Sequence, residues 1–349
     1  MRLSLCVICL LMVGILVPAG AVQALDVDAI RQAIEQSGAQ WTAGQTPMSG
    51  LSPEELSAFA STPRPVIEHG AELWTADRCL AELPDHFDWR DFEGENWVTD
   101  IRDQGLCAGC SAFAAIGAFE VLVRYYDLED PNGDIDLSEQ HLFSCSGGTC
   151  AGGMLMGVAM LYLKAEGVPD EECFPYQSGD AGEDFPCGDT CEDWEERARR
   201  IESWKWVNTS SRDNIMQALL EGPLYTFIQT YEDFYTYTDG IYEHTTGGAA
   251  GGHGVTLIGY DVPEEYWIGK NSWGEEWGED GFFRIKWGDS EIETYLGKME
   301  YDPPGDDDDD DDDDDTGDDD DDTDDDDDDD DTDDTQDEDD DDDDSGCSG

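Results

Sequence analysis

Three separated segments carry the residue types that nucleophilic catalysis by a thiol requires. In Gln104-Gly105-Leu106-Cys107-Ala108-Gly109-Cys110-Ser111-Ala112-Phe113, Cys110 stands at the mouth of a run with helical apolar spacing. Unpaired N–H groups and the dipole at a helix N-terminus lower a thiol pKa and favour the reactive thiolate. Ala108 and Gly109 are small enough to let a substrate backbone approach. In Gly251-Gly252-His253-Gly254-Val255, a histidine enclosed by glycines opens an apolar strand, free to face a cleft and move a proton. In Tyr266-Trp267-Ile268-Gly269-Lys270-Asn271-Ser272-Trp273, the neutral Asn271 amide can hold one ring nitrogen of His253 and fix its tautomer. Trp273 can shield that bond from water.

Other chemistry is open to the same residues. Cys107 and Cys110 have the spacing of a redox pair or half a metal site. A redox pair implies one compact βαβ unit, and a zinc site wants a second close pair; Cys187 and Cys191 are spaced loosely for that. No metal and no cofactor is expected. Of the five histidines, His69 precedes the folded part, His86 and His141 read as surface or packing residues, and His244 reads at most as a rim residue.

The elements that must position these groups are legible in part. Phe113, Ile116, Phe119, Leu122 and Val123 recur at three- and four-residue spacing, which predicts a helix over 112–126. A second helix is expected over 153–163. After Leu224 the pattern changes to short β-prone runs at 225–228, 254–260, 266–270 and 281–286. A helical first half and a strand-rich second half make an α+β catalytic unit.

Flanking regions set the context. Residues 1–24 read as an export signal: Arg2, an apolar run from Leu3 to Val17, then small residues before Leu25. Residues 25–82 read as a pro-region, with weak helical pattern at Val27, Ile30 and Ile34 and a helix opening at Ser52-Pro53-Glu54-Glu55 that breaks by Thr62 to Pro65. Acidic residues number 87 against 17 basic, a formal charge of -70. Residues 306–344 hold 32 Asp and one Glu, but the bias extends beyond them. Such a surface repels nucleic acid and anionic lipid. The acidic tail, 301–344, reads as a disordered, extended spacer with weak, diffuse cation binding, because its poly-Asp beyond Pro303 has no apolar residue to offset ordering entropy. Residues 345–349 end the chain with Cys347, a candidate cell-surface attachment point. Export and eleven cysteines, nine of them beyond the signal, favour disulfides, with an odd thiol left over.

The segments resemble the catalytic signatures of the papain family, in the family's order of cysteine, histidine and asparagine. Leu83-Pro84-Asp85-His86-Phe87-Asp88-Trp89-Arg90 resembles its mature start, and Leu137-Ser138-Glu139-Gln140, Cys150-Ala151-Gly152-Gly153 and Phe174-Pro175-Tyr176 resemble further markers. The run from Asp233-Phe234 to His253 looks closest to the cathepsin-B-like branch, without its histidine-bearing occluding insertion. The resemblance implies a two-lobed fold over 83–300, with a helical left lobe, a β-barrel-like right lobe and a cleft between them. It implies a secreted endopeptidase acting on proteins or peptides, kept inactive by its own pro-region. Cys110 would be the nucleophile, His253 the acid and base, Asn271 its orienter, and Gln104 an oxyanion donor. Gly152, Gly153, Met154, Leu155 and Trp273 would bind substrate. Cys107 would pair with Cys150, and Cys145, Cys173, Cys187 and Cys191 would form two more bridges of unassigned partners. The family pattern has Trp after the nucleophile where this chain has Ser111. A peptide-binding or surface scaffold that has lost catalysis is the alternative that this departure keeps open.

Overall fold

The computed structural model describes residues 25–76 and 83–303. The expected export signal, residues 304–344 of the expected tail, Cys79 and Cys347 lie outside them. Among the described residues, no helix is long and apolar enough to cross a membrane.

The first helices belong to the N-terminal segment. Helix α1 (Val27–Ser37) buries Val27, Ile30 and Ile34 and is capped by Asp26. Helix α2 (Pro53–Ala58) opens with Ser52 accepting from the Glu55 amide while the Glu55 carboxylate accepts from the Ser52 amide at 2.7 Å. Helix α3 (Cys110–Leu122) is the central one and is buried along its whole length, as an apolar helix must be. It runs on into a wider turn through Leu128. Helices α4 (Glu139–Cys145) and α5 (Met156–Ala165) pack beside it. Met154, Met156, Met160, Leu142 and Phe119 form the apolar core of this lobe.

Among the described residues, ten strands make the other lobe and its margins. In chain order they are β1 (Trp41–Ala43), β2 (Leu73–Trp74), β3 (His86–Asp88), β4 (Ser203–Val207), β5 (Leu224–Tyr231), β6 (Tyr237–Tyr242), β7 (Ala249–Asp261), β8 (Tyr266–Lys270), β9 (Phe282–Lys286) and β10 (Leu296–Glu300). Their spatial order is β1-β6-β9-β8-β7-β5-β10-β4-β2, with β3 paired to β7 off that path. The pairs β2–β4 and β6–β9 are parallel and the others antiparallel.

This arrangement corrects the expectation of a β-barrel-like lobe. The sheet is mixed and open, ending at β1 on one side and β2 on the other. A barrel closes only when its two edge strands find each other in a staggered register. Here each edge is taken by a two- or three-residue strand from the N-terminal segment, β1 on β6 and β2 on β4. Those short strands cap the edges, and the sheet extends instead of closing.

The two lobes meet along α3. Thr256 of β7 donates its hydroxyl proton to the Ala114 carbonyl at 2.9 Å. Below it, Lys270 donates to the Thr99 hydroxyl at 2.8 Å, and Thr99 donates to the Glu120 carboxylate at 2.6 Å. Burial pushes the Glu120 carboxyl up and Lys270 down, while the attraction between the two charges opposes both shifts. The start of α3 and strand β7 are thereby fixed against each other.

Candidate active site

Cys110 is the first residue of α3, fully buried, and the one free cysteine among the described residues. Gly109 precedes it and offers no side-chain cap. The amides of Gly254, Ser111 and Cys110 itself all favour the thiolate, and so does the Thr62 hydroxyl. Burial outweighs them and pushes the thiol pKa up.

His253 lies on β7 opposite Ile228 of β5. Its Nε2 meets the Asn271 Oδ1 at 2.7 Å. Asn271 Oδ1 also accepts from the Ser272 amide at 2.8 Å, so the amide oxygen is held toward the ring. That geometry puts a proton on Nε2 and leaves Nδ1 as the free base of the neutral imidazole. Trp273, buried, covers this bond with its ring 4.7 Å from the imidazole, and stacks on Tyr235 at 5.2 Å. Burial lowers the His253 pKa to about 4, against the opposing pull of Asn271 and the Phe59 carbonyl.

Gln104 is fixed at both ends. Its backbone N–H donates to the Ser272 carbonyl at 2.9 Å, and its Oε1 accepts from the Ser272 hydroxyl at 2.9 Å. The Nε2 is thereby turned the other way, donating to the Cys107 carbonyl at 3.0 Å and to the Ala58 carbonyl at 3.2 Å.

A stretch of the N-terminal segment crosses this site. After α2 ends at Ala58, Phe59 sets its ring edge-on to Trp273 at 6.1 Å. Thr62 donates its backbone N–H to the Gly252 carbonyl at 2.9 Å. Its hydroxyl lies 2.8 Å from the Cys110 sulfur. Proline at 63 biases Thr62 to the extended conformation that this pairing needs. Gly153, with φ of +67°, would bring a Cβ to 2.6 Å of the Ser61 carbonyl oxygen, so only glycine lets the segment pass so closely. A Cβ on Gly252 would likewise strike the Thr62 carbonyl.

The remaining residues singled out from the sequence are spread around this line. Gly152 and Gly153 both give their amides to Thr149. Met154 is buried, and its carbonyl accepts from the Ser111 hydroxyl at 2.8 Å. Leu155 is exposed. Disulfides join Cys107 to Cys150, Cys145 to Cys187 and Cys173 to Cys191. Away from the site, His86 pairs with Asp261 at 3.2 Å, His244 with Asp233 at 3.2 Å, and His141 is buried against Trp194. Thr62, Ser272 and Tyr176, whose hydroxyl donates to the Gln104 carbonyl at 2.9 Å, escaped the sequence reading. Ser272 had a signal in its place between Asn271 and Trp273, and Tyr176 stood in the Phe174-Pro175-Tyr176 marker without a role assigned to its hydroxyl; Thr62 had none.

Comparison with known proteins agrees with this geometry. The family model described as papain family cysteine protease matches residues 83–298. Cathepsin B-like CP3 of Giardia intestinalis is 34% identical over 266 residues, covering 72% of this chain and 86% of that protein. Cathepsin B-like CP2 of the same organism is 33% identical over 211 residues, covering 58% of this chain and 69% of that protein. Among solved structures, procathepsin B S9 from Trypanosoma congolense superposes with a TM-score of 0.67 at 22% identity, over 79% of this chain and 99% of that one. Digestive procathepsin L 3 from Tenebrio molitor gives a TM-score of 0.64 at 23% identity, over 78% and 87%. The chain belongs to the papain family and is a cysteine endopeptidase of that family, with relatives among the cathepsin B-like proteins.

Proposed function

We propose that the chain is made as an inactive, exported precursor, and that residues 83–300, once freed of residues 25–82, hydrolyse peptide bonds through a thioester on Cys110. With the segment gone, the Cys110 thiol gives its proton to His253 Nδ1, the thiolate attacks the scissile carbonyl carbon, and the Gln104 Nε2 and the Cys110 amide stabilise the charge that forms on the oxygen. The C–N bond breaks as His253 gives its proton to the leaving amine. His253 then takes a proton from water, whose oxygen attacks the thioester carbon, and the carboxylic acid leaves with the thiol restored. Asn271 positions His253 throughout.

The observation that carries this reading is what occupies the site. The Gln104 Nε2, where a substrate oxygen would be polarised, is already donating to the Ala58 carbonyl, and the Thr62 hydroxyl sits on the Cys110 sulfur. The segment therefore fills both places that reacting atoms need. The buried thiol is pushed toward its neutral form and the imidazole likewise, so no ion pair is favoured while the segment stays. The two solved structures named above are proforms, which supports the same assignment.

Processing is tested by purifying the secreted chain before and after proteolytic removal of the segment and following hydrolysis of a peptide-amide substrate. Turnover only after removal, and none from the processed Cys110→Ala variant, supports the reading. Full turnover by the intact chain contradicts it.

A further inference from the structure

The residue after the nucleophile is where this chain departs from the family pattern, and the volume there is not empty. Ser111 is buried, and its one hydroxyl proton goes to the Met154 carbonyl at 2.8 Å. Its oxygen remains as an acceptor facing Thr62, whose hydroxyl lies 3.0 Å away. Tyr225 of β5, fully buried, comes in from the other lobe. A Cβ on Gly254 would lie 3.1 Å from the Tyr225 hydroxyl oxygen, which places that hydroxyl beside Gly254 of β7. Burial raises the Tyr225 pKa and Cys110 adds to the rise, while the nearby Ser111 side chain acts against it. The Tyr225 hydroxyl is buried without a hydrogen-bond partner.

Next to the reactive sulfur there is thus an acceptor on Ser111 and an unsatisfied hydroxyl on Tyr225. A buried polar group without a partner is costly, and a site built to hydrogen-bond a hydroxyl rejects an analogue lacking it. The N-terminal segment sets the Thr62 hydroxyl against the Ser111 oxygen at 3.0 Å, while the Tyr225 hydroxyl keeps no partner with the segment in place.

We propose that the buried Ser111 oxygen is a polar recognition point that selects threonine or serine at the substrate residue taking the place of Thr62. This rests on the peptidase reading and adds to it a specificity set by the missing tryptophan. Substrates are then peptides carrying a small hydroxyl side chain near the cleaved bond, and valine, equal in shape to threonine, is discriminated against.

The test uses the processed enzyme with peptide-amide substrates varied singly at each of the four residues preceding the cleaved bond. At one of those positions, threonine should exceed valine by about fivefold or more in kcat/KM. The threonine-to-valine ratio should fall to near one in Ser111→Ala and persist in Tyr225→Phe. Cleavage without a hydroxyl preference at any position overturns the recognition point and leaves the peptidase reading intact. If no peptide is cleaved, that reading fails, and the recognition point is judged by binding of a peptide of residues 56–66 to the processed Cys110→Ala chain. Weaker binding of its Thr62→Val form supports the recognition point, and equal binding overturns it.

Discussion

The Thr62 hydroxyl lies 2.8 Å from the Cys110 sulfur, bridging 48 residues of sequence between a segment outside the family match and the nucleophile within it. Two further contacts hold the crossing in place, the Thr62 amide on the Gly252 carbonyl and the Ala58 carbonyl on Gln104. The segment is pinned by backbone groups at both lobes and by one hydroxyl at the thiol.

Gln104 and Ser272 should separate in their effects. Removing the side-chain donor in Gln104→Ala is expected to lower kcat of the processed enzyme by roughly 10²–10³-fold. Ser272→Ala removes only the hydrogen bond that turns Gln104, and about 1 kcal/mol, or roughly fivefold, is expected. Steady-state kinetics on a peptide-amide substrate checks both; equal losses would show that Ser272 acts otherwise than through Gln104.

Segment binding should depend on pH through His253. In the processed Cys110→Ala chain no thiolate partner exists, so a hydrated imidazole titrates near the usual 6.5. With the segment in place its pKa is lowered to about 4. A lowered histidine pKa means that the bound state favours the neutral ring. The binding advantage is therefore present above pH 6.5 and is lost as pH falls toward about 4. A peptide of residues 56–66 should bind this variant more weakly at pH 4.5 than at pH 7, by one to two orders of magnitude on the order expected from linkage. Calorimetry at the two pH values decides it.

The buried charge under α3 predicts a stability effect distinct from catalysis. Lys270→Met leaves the Glu120 carboxylate facing Thr99 without its cation. Breaking a buried pair in this way costs about 3–5 kcal/mol. Urea unfolding monitored by tryptophan fluorescence should show it, and the double change with Glu120→Leu should recover much of the loss.

Much of the site could be read from single segments. Cys110, His253 and Asn271 each carry a local pattern, namely a helix mouth, a glycine-flanked strand start and an amide before an indole. The strands were legible for the same reason, since β8 and β9 are short β-prone runs bounded by turns. What stayed hidden is long-range. Nothing local to Trp41–Ala43 or Leu73–Trp74 says that they cap the edges of a sheet built 130 to 200 residues later, and so the open sheet was missed. Ser111 read as a lost tryptophan because Tyr225, which comes to the same place, lies on a strand in the other lobe. The role of Thr62 depends on Cys110, Ser111 and Gly252 at once, and no window of sequence contains them.

The central claim is that Cys110 is the nucleophile and that the chain's own segment covers it. Intact-mass measurement after exposure to an epoxide that alkylates cysteine peptidases tests this directly, on the unprocessed chain and on the chain freed of residues 25–82. The account predicts one label, mapped to Cys110, on the processed form, and none on the unprocessed form. Labelling of both forms at the same rate, or of neither, would contradict it.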